Sequence, residues 1–568
     1  MKYFDIIKQK SRTALKIKKE TGWRGIGRKL KQLRREKAEA ENYQKWIKLN
    51  QIDDEKRREI CREIKNFQIK PLISIVMPVY NVEEKWLRLC IESVTNQIYE
   101  NWEFCIADDC SPGSHIRRIL NEYGQKDERI KVVFRHKNGH ISAASNSALE
   151  LATGKFCVLL DHDDELSEDA LFYVAKELND FPETEMIYSD EDMIDERGAR
   201  FKPKFKPDFS RELFYSLNLI THLSAYKSDV LRKIGGFKVG AEGSQDYDLA
   251  LRVIEEIPEK NIRHIPQILY HWRAIRGSVA LSSDEKPYAH ERARSAIRGH
   301  LERTGKRAEV VETEWNFHRV RYRLPEILPK VGLIIYSEGK LEKNHAEDFR
   351  SETDYENLET IFVENSNVEK LNSAAEKCFC EILVFVDANV KPLAKDWLKE
   401  LVGFVIQTEI GAVGAKILSN GKDILHGGLV VGTEQIISAA HCGFLRESEG
   451  NMFRLHLTNN FSAISIACLC VRKSLFEKVG GFDFQNLPNR FFDTDFCLKL
   501  REKKYRIVFT PYAEFMKIDG KKRLNFEQNP TVEEIKFFIN KWRKIIECDP
   551  FYNPNLSKKD ASFSIRIQ

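Results

Sequence analysis

The run Phe156-Cys-Val-Leu-Leu-Asp-His-Asp-Asp164 sets five apolar residues against three aspartates. Such a stretch, entered from Lys155, predicts a buried strand of a mostly parallel sheet with acids at its carboxyl end. Ligands of open α/β sheets gather at that end. Asp161 and Asp163 are two positions apart, so strand alternation would turn both carboxylates to one side. Hard oxygen donors of this kind suit Mg²⁺ or Mn²⁺ holding substrate phosphates. Ser167, Glu168 and Asp169 suggest a competing use, the cap and acidic first turn of a following helix. That device could absorb Asp164 and Glu165, but it leaves Asp161 and Asp163 unexplained.

The flanking elements must place these acids. Leu72-Ile-Ser-Ile-Val-Met77 reads as a strand ended by Pro78, and a helical stretch over 86–96 follows. Residues 102–107 form a second strand ending in Asp108-Asp-Cys-Ser-Pro-Gly113. A third strand covers 130–134, and 142–151 supply the helix before the central strand. Alternating strands and helices predict a doubly wound α/β sheet. Asp108 ends its strand as Asp161 ends the central one, so both acids face one crevice. There Asp108 could accept hydrogen bonds from a nucleobase or ribose, although Ser111-Pro-Gly113 beside it is also turn chemistry.

The blocks Pro78-Val-Tyr-Asn81, Asp108-Asp109 with Ser111, Asn138-Gly-His-Ile-Ser142, Asn146 and Leu160-Asp-His-Asp-Asp164 resemble glycosyltransferase family 2, with its GT-A fold. Gly235-Gly-Phe237, Gly243-Ser-Gln-Asp-Tyr-Asp248 and Leu269-Tyr-His-Trp-Arg273 continue the match. The resemblance is closest to bacterial tandem enzymes of surface-polysaccharide synthesis and runs from about residue 40 nearly to the end; Cys110 departs from it, standing where the family usually has glycine. It implies a nucleotide-sugar donor held by Pro78, Tyr80, Asn81, Asp108, Asp109, Asn138, Asp161 and His162. It also implies a divalent ion on Asp161 and Asp163, with His271 as a third ligand or else a core histidine. Asp246 becomes the general base of an inverting transfer, unless it is simply an acidic helix start. Asp190, Gln245 and Asp248 fall on the acceptor side. A nucleotidyltransferase would also hold metal on acidic strand ends, but Val79-Tyr-Asn-Val-Glu-Glu84 lacks its Gly-rich phosphate loop. A sugar-binding scaffold is the non-enzymatic alternative.

The second half restates the first. Val331-Gly-Leu-Ile-Ile335 repeats the first strand and Ile382-Leu-Val-Phe-Val-Asp387 the central one. Gly480-Gly-Phe482 parallels Gly235-Gly-Phe237, and Asp493-Thr-Asp495 parallels Asp246-Tyr-Asp248. Asn389 replaces the acid at the place of Asp163, which predicts a degenerate copy with Asp387, Asp493 and Asp495 as its remnants; a bifunctional enzyme is the alternative. The expected division is a basic helical region over 1–70, a catalytic domain over 71–273 and a helical connector over 274–330. A second GT-A-like domain over 331–528 and a C-terminal helix and tail over 529–568 complete it. Within the connector, Pro287 opens a helix to about Arg303 that Gly305 ends.

A 568-residue chain with 42% hydrophobic and 31% charged residues is a globular, multidomain one. It has no apolar run of about 18 residues to cross a membrane. Twelve scattered cysteines offer no paired Cys-x-x-Cys for zinc. The basic N-terminus lacks the apolar core of a secretory signal, which predicts a cytosolic protein. Residues 1–70 hold 22 Lys+Arg against 10 Asp+Glu, so the rest is net negative. Trp23, Ile26, Leu30 and Leu33 make one apolar face with basic residues between them, the pattern of a helix lying on an anionic membrane at the inner face. Packing on the protein's own acidic body is the alternative; nucleic acid is not expected, because no aromatic platform accompanies the charge.

Overall fold

A computed structural model describes residues 34–275, 287–341, 349–518, 524–526 and 529–567. The apolar face of Trp23, Ile26, Leu30 and Leu33 lies outside them. Helix α1 (34–50) packs on the protein itself, with Tyr43 and Trp46 buried. Arg35 donates to the Ser562 carbonyl (2.9 Å) and stacks 3.6 Å over Phe444. Helix α2 (Asp54–Asn66) is capped by Asp53, which accepts from Lys56 N, and buries Ile60.

The first sheet opens with β1 (Ile73–Val79), α3 (Glu84–Thr95), β2 (Trp102–Asp108), α4 (Ser114–Lys126), β3 (Ile130–Phe134), α5 (His140–Leu151) and β4 (Phe156–Leu159). These four strands pair in parallel. The chain then adds β5 (Glu165–Leu166), α6 (Ala170–Asp180), β6 (Met186–Ile194), β7 (Arg200–Lys204), α7 (Arg211–Ser216), β8 (Ser224–Lys227), α8 (Ser228–Lys233), α9 (Gln245–Glu256) and β9 (Ile262–Arg273). The order is β3-β2-β1-β4-β8-β6-β9-β5, with β7 on β6. Beyond β4 the pairing is antiparallel except for β6–β9. Pro78 does not end its strand. Val76 accepts from Leu160 N on the β4 side, so by alternation Pro78 faces that side too, where β4 has already stopped. Its missing N–H therefore costs no ladder bond.

Helix α10 (Pro287–Arg303) spans the predicted residues, and Gly305 follows at φ +71°. A hairpin that sequence periodicity did not announce comes next, β10 (Ala308–Glu312) and β11 (His318–Tyr322). It meets the second half through Arg319–Glu400 (2.7 Å) and Tyr322 edge-on to Phe404.

The second sheet contains β12 (Val331–Tyr336), β13 (Leu358–Val363), β14 (Ile382–Asp387), β15 (Val390–Pro392), β16 (Ile410–Ser419) and β17 (Asp423–His426). After the separate hairpin of β18 (Leu429–Thr433) and β19 (Ile436–Ala439) come β20 (Asn459–Asn460), β21 (Cys468–Arg472) and β22 (Arg506–Lys517). Its order β13-β12-β14-β21-β16-β22-β15, with β17 on β16, follows that of the first sheet, except that β20 is added on β22 and no counterpart of β3 is present among the described residues. The copies share small devices. Tyr99 and Tyr355 donate to the Pro71 and Pro329 carbonyls, and Asn101 and Asn357 to those of Lys70 and Leu328. The repeated Tyr-Glu-Asn thus pins the start of each first strand.

A second shared device explains Gly-Gly-Phe. The Asn146 amide brackets the backbone N and O of Phe237 at 2.8 Å each, and Asn372 brackets Phe482 at 3.0 and 2.8 Å. Gly236 and Gly481 have positive φ, and a Cβ on either would meet the asparagine oxygen within 3 Å. Asn372→Ala leaves two backbone groups of the buried Phe482 without these partners, so urea denaturation should show a loss of about 2 kcal/mol. An unchanged midpoint would mean that the latch is dispensable.

Candidate functional site

The central strand ends at Leu159, and the acids beyond it form a turn in which Asp164 N donates to the Asp161 carbonyl (3.2 Å). Strand alternation no longer applies there, and the first and fourth residues converge. Among the described residues, Asp161, Asp164 and His222 are the group of three whose ligand atoms lie within 4.8 Å of one another. Asp164 is buried; its Oδ1 accepts from Arg273 N (2.7 Å) and its Oδ2 from the Tyr270 hydroxyl (2.6 Å). The turn is held from behind by the buried Arg273 guanidinium, which donates to the Asp163 carbonyl (2.7 Å) and to Glu165 and lies 4.5 Å over Trp86.

Burial, with Asp163 and Asp161 beside it, holds the Asp164 carboxyl well above the usual carboxylate range. Carboxylates crowded in this way favour a cation among them. Burial also pushes His222 down to about 4, so its imidazole is neutral and able to ligate. Two carboxylates and an imidazole fit a divalent ion.

The expected trio of Asp161, Asp163 and His271 is not brought together as a set. Asp163 remains on the turn, with Oδ1 3.4 Å from His162 Nδ1. His271 faces away from the cluster, its Nδ1 2.6 Å from Asp192, whose carboxylate also pairs with Arg200 (2.5 Å) and accepts from Tyr43. Residues on β9 alternate, so Tyr270 and Trp272 face the ring of His222, at 4.4 and 5.6 Å, while His271 takes the other side. No spacing in the sequence pointed to His222, which lies in an irregular segment before β8. The Tyr270-x-Trp272 alternation is the signal that separates His271 from the cluster.

A cavity of about 50 Å³ adjoins the cluster, lined among others by Asp161, His222, Asn218, Gln245, Asp246 and Tyr270. Asp246 lies in the first turn of α9, and its Oδ2 accepts from Asn218 Nδ2 (2.9 Å). Burial raises its pKa, opposed by backbone amides of that turn and by Asn218. Gln245 accepts from Gly243 N (2.8 Å). Asp248 is turned inward, paired with Arg252 (2.8 Å), which ties the Ile234 and Gly236 carbonyls. Asp190 is fully buried behind the site against His264 and Lys206 N.

The loops after β1, β2 and β3 form the other wall. Tyr80 is about half exposed, Asn81 N donates to Ser111 Oγ (3.0 Å), and Asp108 Oδ1 accepts from Ser111 N (3.2 Å). Asp109 is buried, accepts from Gly139 N (2.9 Å) and forms an ion pair with Arg135 (2.9 Å), while Asn138 donates to the Asp109 carbonyl (3.2 Å). Pro78 lines the cavity. Cys110 has φ +60°, the left-handed conformation in which glycine would be relaxed.

In the second half the corresponding acids are taken up by the chain itself. Asp387 accepts from Asn389 N (2.7 Å) and from both the backbone N and the side-chain amide of Asn525 (2.6 Å each). Asp493 accepts from Ile466 N and Thr494 N, and Asp495 from Trp542 (2.8 Å) while pairing with Lys541 (2.6 Å).

The profile of the family described as "Glycosyl transferase family 2" matches residues 74–235, and that of "Glycosyltransferase like family 2" matches residues 327–531. An uncharacterized protein of Sinorhizobium fredii is 38% identical over 91% of this chain and 61% of its own length. An O-antigen biosynthesis protein of Myxococcus xanthus is 30% identical over 88% of this chain and 41% of its own. The chain thus spans less than two thirds of these relatives. A solved mannosyltransferase from Pyrobaculum calidifontis, in complex with GDP-Man and Mn²⁺, is 16% identical over 44% of this chain and 71% of its own, with a TM-score of 0.31.

Mn²⁺ titration followed by electron paramagnetic resonance tests the cluster directly. Asp161→Asn is expected to weaken binding by at least ~10-fold, the low end for perturbing a metal shell. Asp493→Asn should leave it unchanged; equal affinity in all three proteins would place the ion elsewhere.

Proposed function

The chain belongs to glycosyltransferase family 2, and from that premise we propose that residues 71–273 form an inverting, metal-dependent transferase. It moves a sugar from a nucleotide-sugar donor to a lipid-linked glycan in the synthesis of a bacterial surface polysaccharide. The observation that carries this reading is the shared cavity, which Asp246 lines together with Asp161 and His222. The Myxococcus xanthus relative, named for O-antigen biosynthesis, supports the pathway class.

Asp161, Asp164 and His222, with Asp163 beside them, would hold Mn²⁺ or Mg²⁺, whose Lewis acidity supplies charge neutralisation for a departing diphosphate. Asp108 and Asp109, with Tyr80, Asn81 and Asn138, form the wall suited to the nucleoside. Asp246 takes the proton of the acceptor hydroxyl on its carboxylate while Asn218 fixes its orientation. Attack from the face opposite the leaving group inverts the anomeric centre, as in single-displacement glycoside chemistry. Tyr270 and Arg273 keep the acidic turn in place. The second module, 331–528, serves as structure, because Asn525 and Trp542 hold its acids. The flanking units are the N-terminal region 1–70, the connector 274–330 and the tail 529–568.

Asp246→Asn should fold and bind donor yet lose at least ~100-fold in transfer, the low end for a general base. Near-normal transfer would remove Asp246 from that role or show the second module to be active. Asp246 works only when ionised, so kcat/KM should fall as pH drops through its raised pKa. Asn218→Ala removes a hydrogen bond that lowers this pKa, so its acidic limb should move to higher pH. A limb that stays put would assign the titration to another group.

Among the described residues no helix is long and apolar enough to cross a membrane. The 14 Lys+Arg against 3 Asp+Glu in residues 1–37 support peripheral attachment to an anionic leaflet on the cytoplasmic side. Flotation with phosphatidylglycerol liposomes should show binding that weakens with salt. Equal flotation of protein lacking residues 1–33 would move the contact elsewhere.

A further inference from the structure

The C-terminal tail passes from the second module into the back of the first one's site. At its start Asp549 is anchored in the second module, accepting from Ser462 Oγ (2.5 Å) and Val431 N (2.9 Å). The buried Arg454 donates to the Phe551 carbonyl (2.9 Å), and Arg501 lies 5.0 Å over the Phe551 ring. Within four residues the partners change module. Asp208 N donates to the Pro550 carbonyl (2.7 Å), and Asn555 donates to the Pro266 carbonyl (2.8 Å). Between these ties the Asn553 side-chain amide donates both to Asp190 Oδ2 and to the Lys206 carbonyl, at 2.8 Å each.

All three residues of that junction are buried, at 3%, 0% and 1% exposure for Asn553, Asp190 and Lys206. Asp190 in turn accepts from Lys206 N (2.8 Å), so the amide and the carboxylate grip the Lys206 backbone from two directions. The Lys206 ammonium pairs with Glu191 (2.9 Å) and donates to the carbonyls of Thr221 and His222, the latter at 2.8 Å. These carbonyls belong to the irregular segment that carries Asn218 and His222 to the cavity. A segment outside regular structure has few bonds of its own to fix it, so one buried ammonium on two successive carbonyls is a strong local restraint.

We propose that the tail is a positioning element for the first module's site, acting through Asn553, Lys206 and the carbonyls of Thr221 and His222. Asn553 and Lys206 are positioning residues that touch no substrate. The second module then has a task that needs none of its own acids, which is to anchor residue 549 so that residue 553 reaches Asp190. The proposal rests on the transferase reading for its effect on rate, whereas its structural half stands without it.

The test uses the full chain, with hydrogen exchange of the peptide 217–226 as the main readout, measured without metal or substrate. Asn553→Ala should speed exchange in that peptide by about tenfold, with the tail itself still protected by Asp549 and Arg454. Should Asn553→Ala fail to fold, Asn553→Ser keeps a small polar group there and is expected to give the same effect in smaller measure. Transfer assays should show kcat lowered by about tenfold with donor KM changed less than about threefold, since misplacing a catalytic group harms chemistry more than ground-state binding. Faster exchange confined to 549–556, with 217–226 unchanged, would make the tail a tether only and overturn the proposal. A native chain that transfers no sugar would instead count against the transferase reading, while the exchange result would still decide the positioning role.

Discussion

Three aspartates within four residues, one of them fully buried, are the constraint to which the first module answers. Asp161, Asp163 and Asp164 repel one another, and Asp164 has left water, which by itself favours the neutral carboxyl. The protein holds them with oriented donors: the backbone N of Arg273 and the Tyr270 hydroxyl on Asp164, and the Arg273 guanidinium on the carbonyl of Asp163. Tyr270 and Arg273 sit at the end of β9, so the donors that hold the turn come from a strand more than a hundred residues along the chain. The result is a cluster of carboxylates gathered beside a cavity.

The two halves share one scaffold but surround its acids differently. Both pin the first strand with Tyr-Glu-Asn and lock Gly-Gly-Phe with an asparagine amide. These devices serve the sheet and persist in both copies. The acids differ in what faces them. In the first copy Asp161 and Asp246 line a cavity, whereas in the second Asn525 satisfies Asp387 with two donors and Asp493 accepts from Ile466 N and Thr494 N.

The contact between the halves is itself polar and buried. Glu212 of α7, 2% exposed, pairs with Arg506 of β22 at 3.0 Å, and Ser210 exchanges hydrogen bonds with Asn460 of β20. Arg506 also lies 3.5 Å from Glu409 and 4.0 Å from Glu259, so the costlier change is replacing Arg506, which takes the counter-ion from the buried Glu212 at a cost of about 3–5 kcal/mol. An interface of this kind fixes orientation more than a purely apolar one would.

Much of the architecture follows from local pattern: the alternation of strands and helices, the acids at strand ends, the limits of α10 set by Pro287 and Gly305, and the repeat of the whole unit. Each of these depends on neighbours a few residues away, so composition and spacing carry them. Tertiary structure decided which side chains meet. Asp164 joins Asp161 because the chain turns where β4 stops, and strand alternation had predicted Asp163. His222 reaches the cluster because Tyr270 and Trp272 face it, while His271, one residue from each, turns to Asp192. Pro78 stays inside β1 because β4 ends opposite Val76, two residues earlier. The tail finds Asp190 across more than three hundred residues. Side-chain direction beyond the end of a strand is set by pairs distant in the chain, and no local period in the sequence encodes such a pair.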